Sequence, residues 1–324
     1  MTFFKLNDVY PWQKTPWQQL TNRFPDIAHG LLFFGKNGCG KLDFTSHFVA
    51  WVLCLDKQPQ QACGQCSSCL WLKSNTHPNY LHITVDEEKK TQPSIKIDKI
   101  RELQPFIQQT GEGWRVVVIE PADRLNTAAA NALLKTLEEP GDRTILILVT
   151  EHFLKLPATI RSRLQRYALD RMTYQQAYSY VKKQLSDDAQ VDLKLALGNG
   201  MPLQALKEHV WLMHRQEFLE DWIKIVKHKD TPMKYATKWT KTLSFYDFQT
   251  MLEYLLADII CVKLQQHIKN TDLDFSEIVR FYSLEQLFHL HEQVQKNKQL
   301  NRQNVQINLM LDQLFTLFMN INGE

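Results

Sequence analysis

The sequence contains no long hydrophobic run, because no apolar stretch approaches the roughly 20 residues that a membrane-spanning helix requires. The opening segment MTFFKLNDVYPWQ lacks a basic stretch followed by an apolar one, so we expect no signal peptide. The net charge is only +3, which excludes a chain-wide signature of polyanion binding and leaves nucleic-acid contacts to local patches. Six cysteines are too few for a disulfide scaffold in a chain of 324 residues, and this suits a reducing compartment. Together these absences predict a cytoplasmic protein without a membrane partner.

The most informative stretch is residues 35–42, GKNGCGKL, which has the pattern of a phosphate-binding loop. An apolar run precedes it at 31–34, and apolar side chains at helical spacing follow it at 43–54, which is the strand–loop–helix context that this motif needs. Glycines let backbone N–H groups converge on phosphate oxygens at a helix N-terminus. The candidate phosphate-binding residues are Gly35, Gly38, Gly40 and Lys41. An ordinary glycine-rich turn is the alternative, which the spacing and context disfavour.

Two positions of this predicted nucleotide site carry unsuitable residues. Leu42 stands where the motif has a serine or threonine hydroxyl that ligates Mg²⁺. The run at 114–120 predicts a second buried parallel strand, and Pro121 stands where a P-loop ATPase has its water-activating glutamate. Proline can neither accept a proton nor orient a water molecule. These two losses predict that the chain does not hydrolyse ATP, while Gly40 and Lys41 leave weak nucleotide binding open.

Four cysteines at 54, 63, 66 and 69 have the spacing of a metal site. Cys54, Cys63, Cys66 and Cys69 supply four thiolates, the ligand set of a closed tetrahedral zinc site. Because no coordination position is left for water, such a zinc ion would be structural. A redox pair and an iron–sulfur cluster are the alternatives, but a redox motif needs only two of these cysteines. His77 is a further candidate ligand that four sulfur ligands make superfluous.

Three other segments carry information. The aromatic segment 10–24 either stacks on an adenine or packs in the core, and packing is the more common role of such side chains. Apolar periodicity predicts helices at 95–109 and 126–139 and a buried strand at 144–150. The turn LPATIRSRL at 156–164 carries two arginines, which either lie in solvent or face a phosphate across a subunit boundary.

These features together resemble the clamp-loader subunits of bacterial DNA polymerase III. The segment VVVIEPADRLNTAAANALLKTLEEP at 116–140 is among these features, and its part from Asn126 to Pro140 is specific to clamp-loader subunits. The cysteine cluster narrows the resemblance to the motor and delta-prime subunits. The damaged nucleotide site favours the delta-prime family over the motor subunits. The resemblance covers essentially the whole chain.

The resemblance implies an architecture of three parts. We expect an AAA+ P-loop module with a parallel sheet flanked by helices at 1–168, including a zinc knuckle at 54–69. A three-helix lid at 169–208 and an all-helical collar at 209–324 would follow. Motor subunits carry an arginine near 200–202 that senses their own nucleotide, and this chain has none there.

The resemblance also implies a role and partners. The chain would be a stator that does not hydrolyse ATP, in a hetero-pentamer with motor (gamma/tau) subunits and a delta subunit. This complex loads the sliding clamp on primed DNA for the polymerase holoenzyme, a DNA-directed DNA polymerase. The family motif Ser-Arg-Cys corresponds to Ser162, Arg163 and Leu164, so Arg163 would be the arginine finger that reaches the ATP site of a neighbour.

Two other functions compete with this interpretation. A working clamp-loader ATPase would need Mg²⁺ chemistry that Leu42 and Pro121 do not supply. A zinc-knuckle protein that binds nucleic acid would need basic residues beside the cysteines, and only Lys57 and Lys73 lie near them.

Overall fold

A computed structural model of the chain describes residues 9–85, 94–108, 113–185, 190–228, 231–300 and 307–319. The chain divides into two compact units, one formed by Met1–Val181 with Met201–Gln204 and the other by Lys182–Gly200 with Ala205–Glu324. The predicted division into three parts, with boundaries at 168 and 208, stays a prediction.

The first unit is built on a parallel sheet of five strands. These are β1 (Gly30–Phe34), β2 (Tyr80–Ile83), β3 (Arg115–Ile119), β4 (Thr144–Thr150) and β5 (Gln165–Ala168). Their order in the sheet is β2-β3-β4-β1-β5, and all pairings are parallel. Strands β3 and β4 are buried along their whole length, which explains the apolar runs at 116–119 and 145–149. Because the strands are parallel, their carboxyl ends all lie at one edge of the sheet, and the glycine loop begins there after β1.

Helices cover both faces of this sheet. They are α1 (Lys14–Thr21), α2 (Lys41–Leu53), α3 (Ser67–Lys73), α4 (Ile97–Arg101), α5 (Leu103–Gln108), α6 (Thr127–Glu138) and α7 (Ala158–Arg161). The alternation of side chains along β1 separates two cores. Phe33 packs on one face against Phe44 and Phe48 of α2, whereas Leu32 lies on the other face in the core that includes Leu133 of α6.

In the part of the chain after β5 that the structure describes, all the regular elements are helices. The remaining helices are α8 (Tyr174–Gln184), α9 (Val191–Leu197), α10 (Pro202–Ala205), α11 (Arg215–Val226), α12 (Pro232–Thr242), α13 (Phe245–Lys263), α14 (Leu284–Leu300) and α15 (Ile307–Met319). An aromatic core holds the second unit together, with Trp222 stacked on Phe318 at 4.4 Å between ring centroids and Trp239 fully buried. The predicted fold class is confirmed: a parallel sheet flanked by helices, a cysteine cluster and a helical C-terminal part. None of the helices described above is both long enough and apolar enough to cross a bilayer.

Candidate nucleotide site, cysteine cluster and arginine turn

The glycine loop joins β1 to α2 in the geometry that the sequence predicts. Gly38 and Gly40 have φ angles of +83° and +82°, a left-handed conformation that side chains other than glycine adopt at a cost. Lys41 is the first residue of α2 and is buried. Its Nζ lies 2.9 Å from Oε1 of Glu151, which follows β4 directly. The positive charge predicted for a phosphate therefore already has a carboxylate partner within the chain.

The aromatic segment before α1 lies on this loop. Trp12 Nε1 and Gln13 Nε2 both donate hydrogen bonds of 2.9 Å to the carbonyl oxygen of Cys39. The Tyr10 ring is so close that a Cβ atom on Gly40 would lie 2.4 Å from it. Tyr10 also donates a 2.7 Å hydrogen bond to Oδ2 of Asp43, and its burial together with this bond raises the pKa of the phenol. Part of the segment therefore packs against the loop itself.

A second part of the chain packs on the same loop. The backbone N–H of Lys36 donates to Oδ2 of Asp170 at 3.1 Å, and the N–H of Leu203 donates to the carbonyl oxygen of Gly38 at 3.1 Å. A Cβ on Gly38 would lie 2.7 Å from the backbone nitrogen of Gln204. The glycines of this loop thus permit the close approach of the protein's own chain, which is a second physical reason for glycine here besides phosphate binding.

A side chain that follows β3 is hydrogen-bonded to the last side chain of β4. Thr150 donates a 2.5 Å hydrogen bond from Oγ1 to Oδ1 of Asp123. Oγ1 of Thr150 also accepts a 3.0 Å hydrogen bond from the N–H of His152. Burial raises the pKa of Glu120, Lys41 opposes this shift, and the nearby carboxylates of Glu151 and Asp123 reinforce it. Leu42 has an aliphatic side chain, so no hydroxyl is present at the position where the motif has its Mg²⁺ ligand.

The four cysteines converge on one point. Their sulfur atoms lie within 4.8 Å of one another, with Cys54 to Cys66 at 3.9 Å and Cys63 to Cys69 at 4.0 Å. A tetrahedral ion with metal–sulfur bonds of about 2.3 Å would separate its ligand atoms by about 3.8 Å, so these positions fit such an ion. Burial raises the pKa values of Cys54 and Cys69, whereas backbone N–H groups of Cys69 and Leu55 outweigh burial at Cys66 and lower its pKa. The convergence of the four sulfur atoms is what suits the cluster to a metal ion.

His77 is connected to the cysteine cluster by hydrogen bonds and is not one of the four clustered candidate ligands. Its Nδ1 accepts a 3.0 Å hydrogen bond from the N–H of Asn79, so the proton of the neutral ring is on Nε2. Nε2 lies 2.8 Å from Oγ of Ser68 and donates to it, while Ser68 donates in turn to the carbonyl oxygen of Leu53 at 2.6 Å. Burial lowers the pKa of His77, which keeps the ring neutral. The chain of hydrogen bonds ties the residue before Cys54 to the helix that carries Cys69.

The arginine turn follows α7 and is exposed. Arg163 donates from Nε and Nη2 to Oε1 of Glu138 at 3.0 and 2.6 Å, and from Nη1 to the carbonyl oxygen of Thr159 at 2.9 Å. The guanidinium carbon of Arg161 lies 6.0 Å from the centroid of the Phe153 ring. The structure brings Arg163 and Glu138 together from segments that are 25 residues apart. Of the two arginines, only Arg163 was predicted from the sequence to face a neighbouring ATP site.

Several residues of these sites escaped the sequence reasoning. They are Gln13, Glu138, Glu151 and Asp170. Glu151 carried a readable signal, because it directly follows a predicted strand and must lie at the same edge of a parallel sheet as the glycine loop. Asp170 follows β5, which had no clear strand pattern, and Gln13 reaches the loop from outside the motif. Nothing in the sequence pairs Glu138 with Arg163 across 25 residues.

Comparisons with known proteins agree with these features. A protein family described as DNA polymerase III, delta subunit, matches residues 12–173. The delta-prime subunit of DNA polymerase III from Pseudomonas aeruginosa is 35% identical over 238 residues, which are 72% of this chain and 71% of that protein. The delta-prime subunit from Haemophilus influenzae is 30% identical over 223 residues, covering 66% and 67% of the two chains. A crystal structure of a DNA polymerase III gamma subunit-related protein from Thermotoga maritima aligns over 94% of this chain and 98% of its own, with a TM-score of 0.48 and 16% identity. On the family match and these two relatives, the chain belongs to the delta-prime subunit family of bacterial DNA polymerase III.

Proposed function

We propose that this chain is a clamp-loader subunit of the DNA polymerase III holoenzyme that does not hydrolyse ATP itself. It assembles with motor (gamma/tau) subunits and a delta subunit in a hetero-pentamer in the cytoplasm. That complex loads the sliding clamp on primed DNA, and this chain completes the ATP site of a neighbouring motor subunit. The names of its relatives, which are subunits of DNA polymerase III, support the assignment to this complex.

The proposal is supported above all by the contacts that the glycine loop makes with other residues of its own chain. The ammonium group of Lys41 is paired with Glu151, and Asp170 accepts the N–H of Lys36. A nucleotide would have to displace both contacts and the Tyr10 ring that lies on Gly40. Since Leu42 also brings no Mg²⁺ ligand, the loop is suited to a structural role and not to hydrolysis.

Arg163 is the residue that we propose to act on the neighbour. Its side chain is 38% exposed, and it lies on a short turn that the folded chain leaves accessible. An arginine supplied in trans stabilises the charge of a transferred phosphoryl group, with an effect on the order of 10³–10⁵ in rate in GTPases. Arg163 thus has the chemistry and the exposure of an arginine finger.

ATP hydrolysis by the purified chain, alone and reconstituted with motor subunits, delta, clamp and primed DNA, tests this proposal. We expect no turnover by the chain alone and clamp-stimulated turnover in the complex. Arg163→Ala would abolish that stimulation, while the control Arg166→Ala, an exposed arginine of β5, would not. Robust turnover by the isolated chain would instead identify a working ATPase.

We further propose that the cysteine cluster holds a structural Zn²⁺ ion. Four thiolates leave no open position, and the sulfur positions fit a tetrahedron. Native mass spectrometry is expected to find one zinc ion per chain, lost in Cys66→Ser and retained in Cys261→Ser, whose cysteine lies outside the cluster. Iron in place of zinc, or a metal-free chain with a disulfide, would contradict this assignment.

A further inference from the structure

The backbone of the arginine turn is seated against two elements of the sheet module. A Cβ atom on Gly30, the first residue of β1, would lie 3.1 Å from the carbonyl oxygen of Arg163 and 2.9 Å from Cδ2 of Leu164. The same atom would lie 3.3 Å from Cδ2 of Leu137, in the last turn of α6. Leu164 is buried in the core that also contains Leu137. The start of β1 and the end of α6 therefore fix the position from which Arg163 projects.

The same end of α6 also fixes the guanidinium group. Oε1 of Glu138, the last residue of α6, accepts from both Nε and Nη2 of Arg163. The carbonyl oxygen of Thr159 accepts from Nη1, and a longer contact of 3.5 Å joins Nη1 to Oγ of Ser162. Acceptors on two sides of a planar group determine the orientation of its plane. A guanidinium has five N–H donors, and among the described residues the second N–H of Nη2 has no acceptor, so it can donate to an acceptor outside the chain.

We propose that Glu138 is a positioning residue that orients Arg163 toward the phosphates of the neighbouring subunit. This inference rests on the proposed function of Arg163. The ion pair is roughly half exposed on both sides, with side-chain exposures of 38% and 53%, and such pairs add little to stability. Its value is geometric, because an unrestrained arginine samples many rotamers and a finger must be placed before the reaction occurs.

The test is steady-state ATP hydrolysis by the reconstituted complex with variants of this chain. We expect Glu138→Ala to lower kcat by about tenfold with KM for ATP unchanged, because a displacement of a catalytic group by about 1 Å can cost up to 10² in rate. Glu138→Gln should lose less, because the amide oxygen can still accept from Nε. Glu139→Ala is the matched control: it removes the same charge from an adjacent exposed side chain and should leave kcat unchanged.

A double-mutant cycle separates this inference from the proposed function. If Glu138 acts through Arg163, Glu138→Ala has no further effect in the Arg163→Ala background. An equal loss in both backgrounds would overturn the inference, and so would an unchanged kcat in Glu138→Ala while Arg163→Ala abolishes turnover. If Arg163→Ala itself had no effect, the proposed finger would be wrong and this inference would fall with it. Equal thermal unfolding and equal complex formation of all variants exclude a folding or assembly defect.

Discussion

The glycine loop and the arginine turn each pair a cation with a carboxylate of the same chain, but the two pairs differ in burial. The side chain of Lys41 is 9% exposed in its pair with Glu151, whereas that of Arg163 is 38% exposed in its pair with Glu138. A buried cation that loses its partner pays a large desolvation cost, while an exposed one exchanges partners at little cost. Lys41 is therefore held within its own fold, whereas Arg163 can exchange its partner at little cost.

The largest effect that we expect distinguishes the two cations by function. If Arg163 acts in trans as proposed, Arg163→Ala should lower the rate of ATP hydrolysis at the neighbouring motor subunit's site by about 10³ or more in the reconstituted complex. Lys41→Ala should leave that rate within about twofold, since a loop already occupied by its own chain takes no part in the reaction. A comparable loss in both variants would show that the loop of this chain also handles nucleotide.

The next effect concerns the packing of the loop by its own chain. Gly40→Ala places a Cβ 2.4 Å from the Tyr10 ring at a φ of +82°, whereas Gly200→Ala at +77° meets no atom within 4 Å. The left-handed backbone costs each variant about 1–2 kcal/mol, and overpacking adds about 1–3 kcal/mol to Gly40→Ala alone. Urea denaturation should therefore find Gly40→Ala the less stable of the two. Equal losses of unfolding free energy would mean that Tyr10 does not press on the loop.

A smaller effect compares the two ion pairs by stability. Glu151→Gln removes the carboxylate that is hydrogen-bonded to the buried Lys41 ammonium, which should cost about 2 kcal/mol, less than in a fully buried pair because Glu151 is partly exposed. Glu138→Gln breaks the exposed pair and should change the free energy of unfolding by no more than about 0.5 kcal/mol. Denaturation of both variants at the same pH and salt concentration measures the difference. If Glu138→Gln cost more stability than Glu151→Gln, the contrast between the buried cation Lys41 and the exposed cation Arg163 would be wrong.

The sequence predicted the elements whose signals are local. The glycine loop, the cysteine cluster, the strand β4 and the helix α6 all combine composition with fixed spacing, and each is found at the predicted place. The predicted helix at 95–109 is split after Arg101 in the described part of that range, because Pro105 has no N–H to donate to the carbonyl of Arg101. The short strand β5 escaped because it begins with the polar residues Gln165 and Arg166.

The contacts that the loop makes with distant carboxylates could not be predicted from local sequence patterns. The pairing of Lys41 with Glu151 joins residues 110 positions apart, and that of Lys36 with Asp170 joins residues 134 apart. Only the order of strands in the sheet brings these carboxylates to the loop. The hydroxyl that is absent at Leu42 was visible in the sequence, but the contacts of Glu151 and Asp170 with the loop were not.

The smallest effect that we expect is a dependence on pH beside the loop. Burial raises the pKa of Glu120 in the folded chain. The folded state therefore binds a proton that the unfolded state releases, and the contribution of Glu120 to stability is lost as pH rises from the unfolded pKa through the folded one. Glu120→Gln removes this ionisable group, so we expect the variant to be slightly more stable than the wild type at pH 7 and to lose that advantage below the unfolded pKa.

Thermal unfolding of both proteins across this range gives the result, with Glu139→Gln as an exposed control. A variant less stable than the wild type at neutral pH would mean that the charged form of Glu120 stabilises the Lys41 ammonium. Lys41 would then depend on two carboxylates, Glu120 and Glu151, whereas Arg163 is paired with one, and the contrast between the two cations would be sharper.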